Sequence, residues 1–136
     1  MPKKRLLLVD DEEAFTRLLK LNLEESGNYE VRVENEGANA MAAAREFRPD
    51  LILLDVIMPD VDGGEVGAQI KADEKLREIP VIYLTAIVSQ RELDAQSRVI
   101  GGRLFVAKPV AKQALIELIE RQLTEAGSGG GTPRGA

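Results

Sequence analysis

The sequence contains neither cysteine nor histidine. The absence of cysteine excludes disulfides, thiolate catalysis and cysteine-based zinc sites, and the absence of histidine removes the commonest general base and metal ligand. The apolar run near the N-terminus, residues 6–9, is much shorter than a signal-peptide core or a membrane span. Any chemistry must therefore use carboxylates, hydroxyls or lysine, and a cytoplasmic location without membrane contact is expected.

Concentrated positive charge is also missing. The 18 lysines and arginines are outnumbered by 23 aspartates and glutamates, the net charge is −5, and the longest basic run is Lys3-Lys4-Arg5. Binding to a nucleic-acid backbone requires a basic surface. We therefore expect no nucleic-acid partner through this domain.

Chain length and composition indicate one folded domain. The chain has 136 residues, of which 44% are hydrophobic, and this suits a single core of ordinary size. The last ten residues, 127–136, are half glycine and are predicted to form a flexible tail or a truncated linker. The folded domain is therefore assigned to residues 1–126.

Short apolar segments predict five β-strands, at 6–9, 31–33, 51–54, 81–84 and 104–106. Four of them are continuously apolar, as in strands that are covered on both faces of a parallel sheet. Residues 30–34 instead alternate in polarity, which is typical of an edge strand.

Helical spacing of apolar residues predicts helices at 12–26, 38–47, 65–72 and 111–126, with a weaker one at 89–99. Strands that alternate with helices in this way predict an α/β fold, because right-handed crossovers place helices on both faces of a parallel sheet. The expected architecture is a flavodoxin-like three-layer sandwich with five helices and a five-stranded parallel sheet of order 2-1-3-4-5.

Polar residues follow four of the predicted strands: Asp10 and Asp11, Asp55, Thr85 and Lys108. The carboxyl ends of parallel strands share one rim, where open α/β folds place their ligand sites. One such residue is ordinary in a loop, whereas several whose types suit one reaction favour a functional site.

Three converging carboxylates need positive charge, since each pair repels by about 1 kcal/mol at ~4 Å even in water. Lys108 supplies one charge, and Mg²⁺, which takes carboxylate, water and phosphate oxygens, is a natural second. Thr85 has no evident base to activate it, so the nucleophile of such a phosphate site would be a carboxylate. The pattern predicts an aspartyl phosphate.

Four motifs carry a family resemblance: LLVDD at 7–11, DVIMPDVDG at 55–63, IPVIYLTA at 79–86 and FVAKP at 105–109. In this order and spacing they resemble the response regulator receiver domains of two-component signalling, of the chemotaxis-regulator type, across about residues 4–125. The resemblance implies a switch that catalyses only its own phosphorylation and slow dephosphorylation, and not an enzyme with a separate substrate.

The resemblance also implies roles for individual residues. Asp55 would be the phosphoacceptor, and Mg²⁺ would be bound by Asp11, Asp55 and the backbone carbonyl of Ile57, with Asp10 acting mainly through water. Lys108 would stabilise the charge of the transferring phosphoryl group.

Output would depend on a switch pair, Thr85 and Phe105. Thr85 would bind a phosphoryl oxygen, and Phe105 would swing inward as Thr85 moves. The surface of the fourth helix, fifth strand and fifth helix would change as a result. Implied partners are a sensor histidine kinase or a histidine phosphotransfer protein upstream, and an effector protein or a missing C-terminal output domain downstream.

Nearby residues are assigned structural roles. Asp62 is predicted to cap the helix that follows it, Asp60 to be a solvated loop carboxylate, and Tyr83 to belong to the core.

Three alternatives remain open. A haloacid dehalogenase-like phosphatase would carry a D-x-D pattern after its first strand, where this chain has Asp10-Asp11-Glu12. A flavodoxin would carry a hydroxyl-rich phosphate loop where this one is acidic. A receiver could also work only as a docking module with an unused site.

Overall fold

The computed structural model describes residues 2–86, 97–100, 103–108 and 111–129. The strands are β1 (Lys4–Val9), β2 (Tyr29–Glu34), β3 (Leu51–Asp55), β4 (Val81–Thr85), β5 (Ser97–Ile100) and β6 (Arg103–Ala107). The helices are α1 (Glu13–Glu24), α2 (Ala40–Phe47), α3 (Gly63–Ala72) and α4 (Lys112–Gly129), and a 3-10 turn, Gly37–Asn39, precedes α2. No helix in these ranges is long and apolar enough to cross a bilayer.

The strands form one sheet of order β2-β1-β3-β4-β6-β5. The five strands predicted from the sequence are β2, β1, β3, β4 and β6, and all of them run parallel. This confirms the flavodoxin-like order 2-1-3-4-5. The alternating strand β2 lies at an edge of the sheet, as predicted.

The prediction of a helix over 89–99 is wrong at its C-terminal end. Ser97–Ile100 forms β5, which pairs antiparallel with β6, so that Ser97 lies opposite Val106. Val99 and Ile100 are β-branched and suit a strand, and β5 covers an edge of β6 that would otherwise be unpaired. The rest of that predicted helix lies outside the described residues, in which four helices are found instead of five.

Alternation along the buried strands builds a core on each face of the sheet. Leu6, Leu8 and Leu53 pack with side chains of α1 and α4 on one face. Leu7, Val9 and Leu54 pack with α2 and α3 on the other. Both faces are therefore dry, which explains why β1 and β3 are continuously apolar and why polar residues begin where the strands end.

The outer edge of β2 is occupied by two side chains of α1. The Val31 backbone N–H donates to Glu24 Oε2 at 2.8 Å, and Lys20 Nζ donates to the Val31 carbonyl at 2.6 Å. Lys20 and Glu24 also pair with each other at 3.0 Å. The helix thus satisfies backbone groups that an edge strand would otherwise expose.

Candidate functional site

The carboxyl ends of four parallel strands bring the predicted polar residues to one rim. Asp55 is the last residue of β3 and Thr85 the last of β4, while Asp10 follows β1 and Lys108 follows β6. The Lys108 backbone N–H donates to the Thr85 carbonyl at 2.8 Å, which fixes the end of β6 beside the end of β4. The predicted convergence on one rim is therefore confirmed.

Asp10, Asp11 and Asp55 form a carboxylate cluster. One side-chain oxygen from each of the three lies within 4.8 Å of the others. Asp10 is fully buried and Asp55 is 4% exposed, whereas Asp11 is half-buried. Such a largely buried cluster concentrates negative charge where solvent screens it poorly.

Asp10 is fixed by hydrogen bonds along its backbone and side chain. Its N–H donates to the Glu34 carbonyl at 3.1 Å, and its carbonyl accepts from Asn35 Nδ2 at 2.7 Å. Its Oδ1 accepts from the Glu12 N–H at 3.0 Å. Asn35 was missed by the sequence analysis, because nothing in the sequence shows that an asparagine after an edge strand reaches the end of a neighbouring one.

Asn35→Ala should lower the free energy of unfolding by about 1–2 kcal/mol, because it removes a donor shared by the Asp10 carbonyl and, at 3.1 Å, by Thr16 Oγ1. Urea denaturation measures the change. Asn39→Ala is the matched control, since Asn39 is exposed and makes no side-chain capping bond. Equal losses in the two variants would contradict the structural role of Asn35.

The Lys108 ammonium is shared among three carboxylates. Its Nζ lies 2.6 Å from Asp10 Oδ2, 2.7 Å from Glu12 Oε1 and 3.7 Å from Asp55 Oδ1. It also lies 4.6 Å from the centre of the Phe15 ring, within cation–π range. Glu12 and Phe15 were missed by the sequence analysis, because no local pattern shows that the start of the helix after Asp11 meets a lysine so distant in sequence.

The electrostatics of the rim perturb its ionisable groups. Burial raises the pKa of Asp55 to about 6, and the charge of Asp10 adds to the increase, while Lys108 and the Ile57 N–H oppose it. Burial likewise raises the pKa of Asp10, against the effect of Lys108. Burial alone would lower the pKa of Lys108, but its bonds to Asp10 and Glu12 outweigh burial and raise it. One ammonium therefore does not fully compensate the carboxylates.

The cluster fits a hard divalent cation. Asp10 Oδ2 is buried, and within the described ranges no well-oriented hydrogen bond satisfies it, although the Lys108 ammonium lies 2.6 Å away. Three carboxylates within reach of one point offer the oxygen ligands that Mg²⁺ prefers. Charge and donor type thus support the predicted magnesium site.

The loop after β3 carries Ile57, whose backbone carbonyl was predicted to bind metal. The Ile57 N–H donates to Asp55 Oδ1 at 3.4 Å, and the Ile57 side chain is 55% exposed. Asp62 Oδ1 accepts from the Gly64 N–H at 2.7 Å, which confirms the predicted cap and starts α3 at Gly63, earlier than predicted. The role of the Ile57 carbonyl stays a prediction.

Asp60 is exposed, as predicted for a solvated carboxylate, and it also makes a backbone contact. Its Oδ2 accepts from the Ala38 N–H at 2.9 Å, and this bond lowers the pKa of Asp60. The exposed carboxylate therefore ties the loop after β3 to the 3-10 turn that follows β2.

Tyr83 and Phe105 form an aromatic pair beside the rim. Tyr83 is buried, as predicted for a core residue, and its ring centre lies 5.1 Å from that of Phe105 with an angle of 26° between the planes. Phe105 is half-buried, and so is Thr85. The switching roles of Thr85 and Phe105 stay predictions.

Comparison with known proteins identifies relatives over nearly the whole chain. The family model described as response regulator receiver domain matches residues 6–120. The polar-differentiation response regulator DivK of Brucella anthropi is 38% identical over 126 residues, which cover 93% of this chain and 100% of that protein. DivK of Brucella ovis is 37% identical over 123 residues, or 90% of this chain and 98% of its own.

Solved structures agree with this assignment. A CheY-like receiver domain protein from Methanospirillum hungatei superposes with a TM-score of 0.78 at 27% identity, over 93% of this chain and 98% of its own. The receiver domain of a Pseudomonas aeruginosa sensor histidine kinase has magnesium coordinated in its active-site cleft. It superposes with a TM-score of 0.75 at 28% identity, over 90% of this chain and 99% of its own. Since the family model also spans most of the sequence, the chain belongs to the response regulator receiver domain family of two-component signalling.

Proposed function

We propose that Asp55 accepts a phosphoryl group from a phosphohistidine on a partner histidine kinase or phosphotransfer protein. The carrying observation is its position: a nearly buried carboxylate at the end of β3, 3.7 Å from the Lys108 ammonium and within the carboxylate cluster. Asp10 is less suited, because its Oδ1 is bonded to the Glu12 N–H and its Oδ2 lies against Lys108. Of the two buried acids, Asp55 is therefore the one whose oxygens are more available to attack phosphorus.

In the transfer, an Asp55 oxygen attacks phosphorus as the bond to the donor nitrogen breaks. The electron pair of that bond leaves with the imidazole, which takes a proton from solvent, and the new bond is an acyl phosphate. A pKa of about 6 leaves most Asp55 ionised at neutral pH, so the nucleophile is competent before the donor arrives. Lys108, close to the same carboxylate, balances charge on the transferring oxygens.

The carboxylate cluster would hold Mg²⁺ through Asp11 and Asp55 with the Ile57 carbonyl, and through Asp10 by way of water. When bound, the ion supplies charge neutralisation to the phosphoryl oxygens. The residues themselves set the geometry, because Asp10 is fixed by Asn35 and the Glu12 N–H.

Output is proposed to follow from Thr85 and Phe105. Thr85 ends β4 next to Lys108, within the rim that a phosphoryl group would enter. Phe105 of β6 stacks on Tyr83 of β4, two residues before Thr85, so a shift at the end of β4 would reach Phe105 through Tyr83. The affected surface would include β6, α4 and residues 89–99, read by an effector protein or an output domain in the cytoplasm, and the active form would be the minor one until phosphorylation.

The proposal is tested by incubating the protein with Mg²⁺ and acetyl phosphate and measuring the intact mass. The wild type and Asp60→Asn, an exposed acid of the same loop, should each gain one phosphoryl group. Asp55→Asn should gain none, and a chelator should abolish the mass gain of the wild type and of Asp60→Asn. A phosphoryl group retained by Asp55→Asn would overturn the assignment.

A further inference from the structure

The first turn of α1 and the residue before it hold the Lys108 side chain. Glu12 Oε1 lies 2.7 Å from Nζ, and the Phe15 ring, one helical turn later, lies 4.6 Å from it. Asp55 Oδ1, at 3.7 Å, is beyond hydrogen-bond distance. In this structure the ammonium is therefore bonded to Glu12 and is not bonded to the proposed phosphoacceptor.

Glu12 differs from the other two carboxylates around Lys108 in its exposure. Its side chain is 59% exposed, against 0% for Asp10 and 5% for Asp55. An exposed carboxylate returns to water at little cost, whereas a buried one that lost its cation would be left uncompensated. The contact with Glu12 is thus the one that Lys108 can exchange.

A phosphoryl group on Asp55 would compete with Glu12 for this ammonium. Moving Nζ by roughly 1 Å toward Asp55 Oδ1 would bring it within the usual charged hydrogen-bond range of that oxygen, and so toward a phosphoryl group attached to Asp55. The ammonium has three N–H donors, so it can keep its contact with Asp10 during this exchange. Only the bond to Glu12 has to break.

We propose that Glu12 is a positioning residue that retains Lys108 in the unphosphorylated protein and so slows phosphorylation. The inference rests on the proposed role of Asp55. The Glu12 side chain makes no capping bond to α1 and pairs with Lys108, so Lys108 is the group through which it would act on phosphorylation. Its removal would leave Lys108 free to approach the incoming phosphoryl group.

The test is the rate constant for phosphorylation by acetyl phosphate at saturating Mg²⁺ and low ionic strength. Glu12→Gln removes the charge, and Glu12→Asp keeps the charge but shortens the side chain by one methylene, so that it no longer reaches Lys108. Both should react about two- to fivefold faster than the wild type, as expected for the loss of a solvent-exposed ion pair. High salt should remove the difference between Glu12→Gln and the wild type.

Glu13→Gln is the matched control, because Glu13 is an exposed neighbour whose loss changes the net charge equally. It should react at the wild-type rate. Equal acceleration by Glu12→Gln and Glu13→Gln, with Glu12→Asp unchanged, would show a general charge effect and overturn the inference. Equal rates in all variants would overturn it as well while leaving Asp55 as the acceptor, whereas a wild type that is never phosphorylated on Asp55 would overturn both proposals.

Discussion

Asp55→Asn should be more stable than the wild type at pH 7.5 without divalent cations, although it removes the proposed phosphoacceptor. The pKa of Asp55 is raised from 3.8 to about 6, mainly by burial and then by the charge of Asp10, which corresponds to about 3 kcal/mol. Water reaches part of the rim, so we expect a gain of about 2 kcal/mol in the free energy of unfolding. An asparagine of nearly the same shape relieves the buried charge.

The pH dependence of this gain has a defined sign. An acid whose pKa is raised on folding contributes stability that is fully present below its unfolded pKa and is lost as pH rises through its folded pKa. The wild type therefore loses this contribution between pH 3.8 and about 6, and the asparagine variant does not. The gap between the two proteins should open across that interval and stay constant above about pH 7.

Urea denaturation from pH 4 to 8 in a chelator measures the gap. Asp60→Asn is the control and should gain no stability, because the pKa of Asp60 is lowered. Mg²⁺ should stabilise the wild type more than Asp55→Asn and narrow the gap, since a ligand that binds the folded state stabilises it. A variant no more stable than the wild type at pH 7.5 would show that Asp55 is not strained by burial.

Gly63→Ala should destabilise the protein by about 3 kcal/mol and displace Asp55, the proposed phosphoacceptor. A Cβ at Gly63 would lie 1.9 Å from the Asp55 carbonyl oxygen and 2.8 Å from both its carbonyl carbon and Val56 Cα. These are backbone atoms at the end of a buried central strand, so they cannot yield as a flexible side chain would. Any relaxation moves Asp55 relative to Lys108.

Gly64→Ala provides the matched control one residue later. A Cβ there would lie 3.2 Å from Asp62 Oδ1, a side-chain atom that can shift, and alanine favours the helix by about 1 kcal/mol over glycine. The melting temperature, measured by thermal denaturation, and the phosphorylation rate should both fall in Gly63→Ala. Both should stay near the wild-type values in Gly64→Ala. Similar behaviour of the two variants would contradict a specific backbone contact.

The parallel sheet and its rim were predictable because local patterns decide them. Four apolar residues followed by Asp10 indicate that β1 is buried on both faces, and the aspartate marks the end of the strand. The same pattern predicts β3 and its end at Asp55. Once strand order is known, the carboxyl ends must meet. The family motifs fall on those ends, so the cluster could be placed without coordinates.

Other features could not be predicted, because they depend on contacts distant in sequence. Glu12 and Lys108 are 96 residues apart, and no local pattern shows that they meet. Asp60 reaches back 22 residues to Ala38. The segment 89–99 has only Leu93 and Val99 as large apolar residues, so its periodicity could not distinguish a helix from the edge strand found at its end.

Lys20 and Glu24, the two α1 side chains bonded to Val31, can protect the edge of β2 while the chain is still being synthesised. The β1–α1–β2 unit precedes the other strands in the chain, and its outer strand could pair with other nascent chains. Lys20 and Glu24 lie only 11 and 7 residues from Val31, so this edge can close by short loops before the rest of the domain exists. With this edge closed, the edge of β1 that stays open to pairing is the one on which β3, the strand that ends in Asp55, lies in the folded sheet.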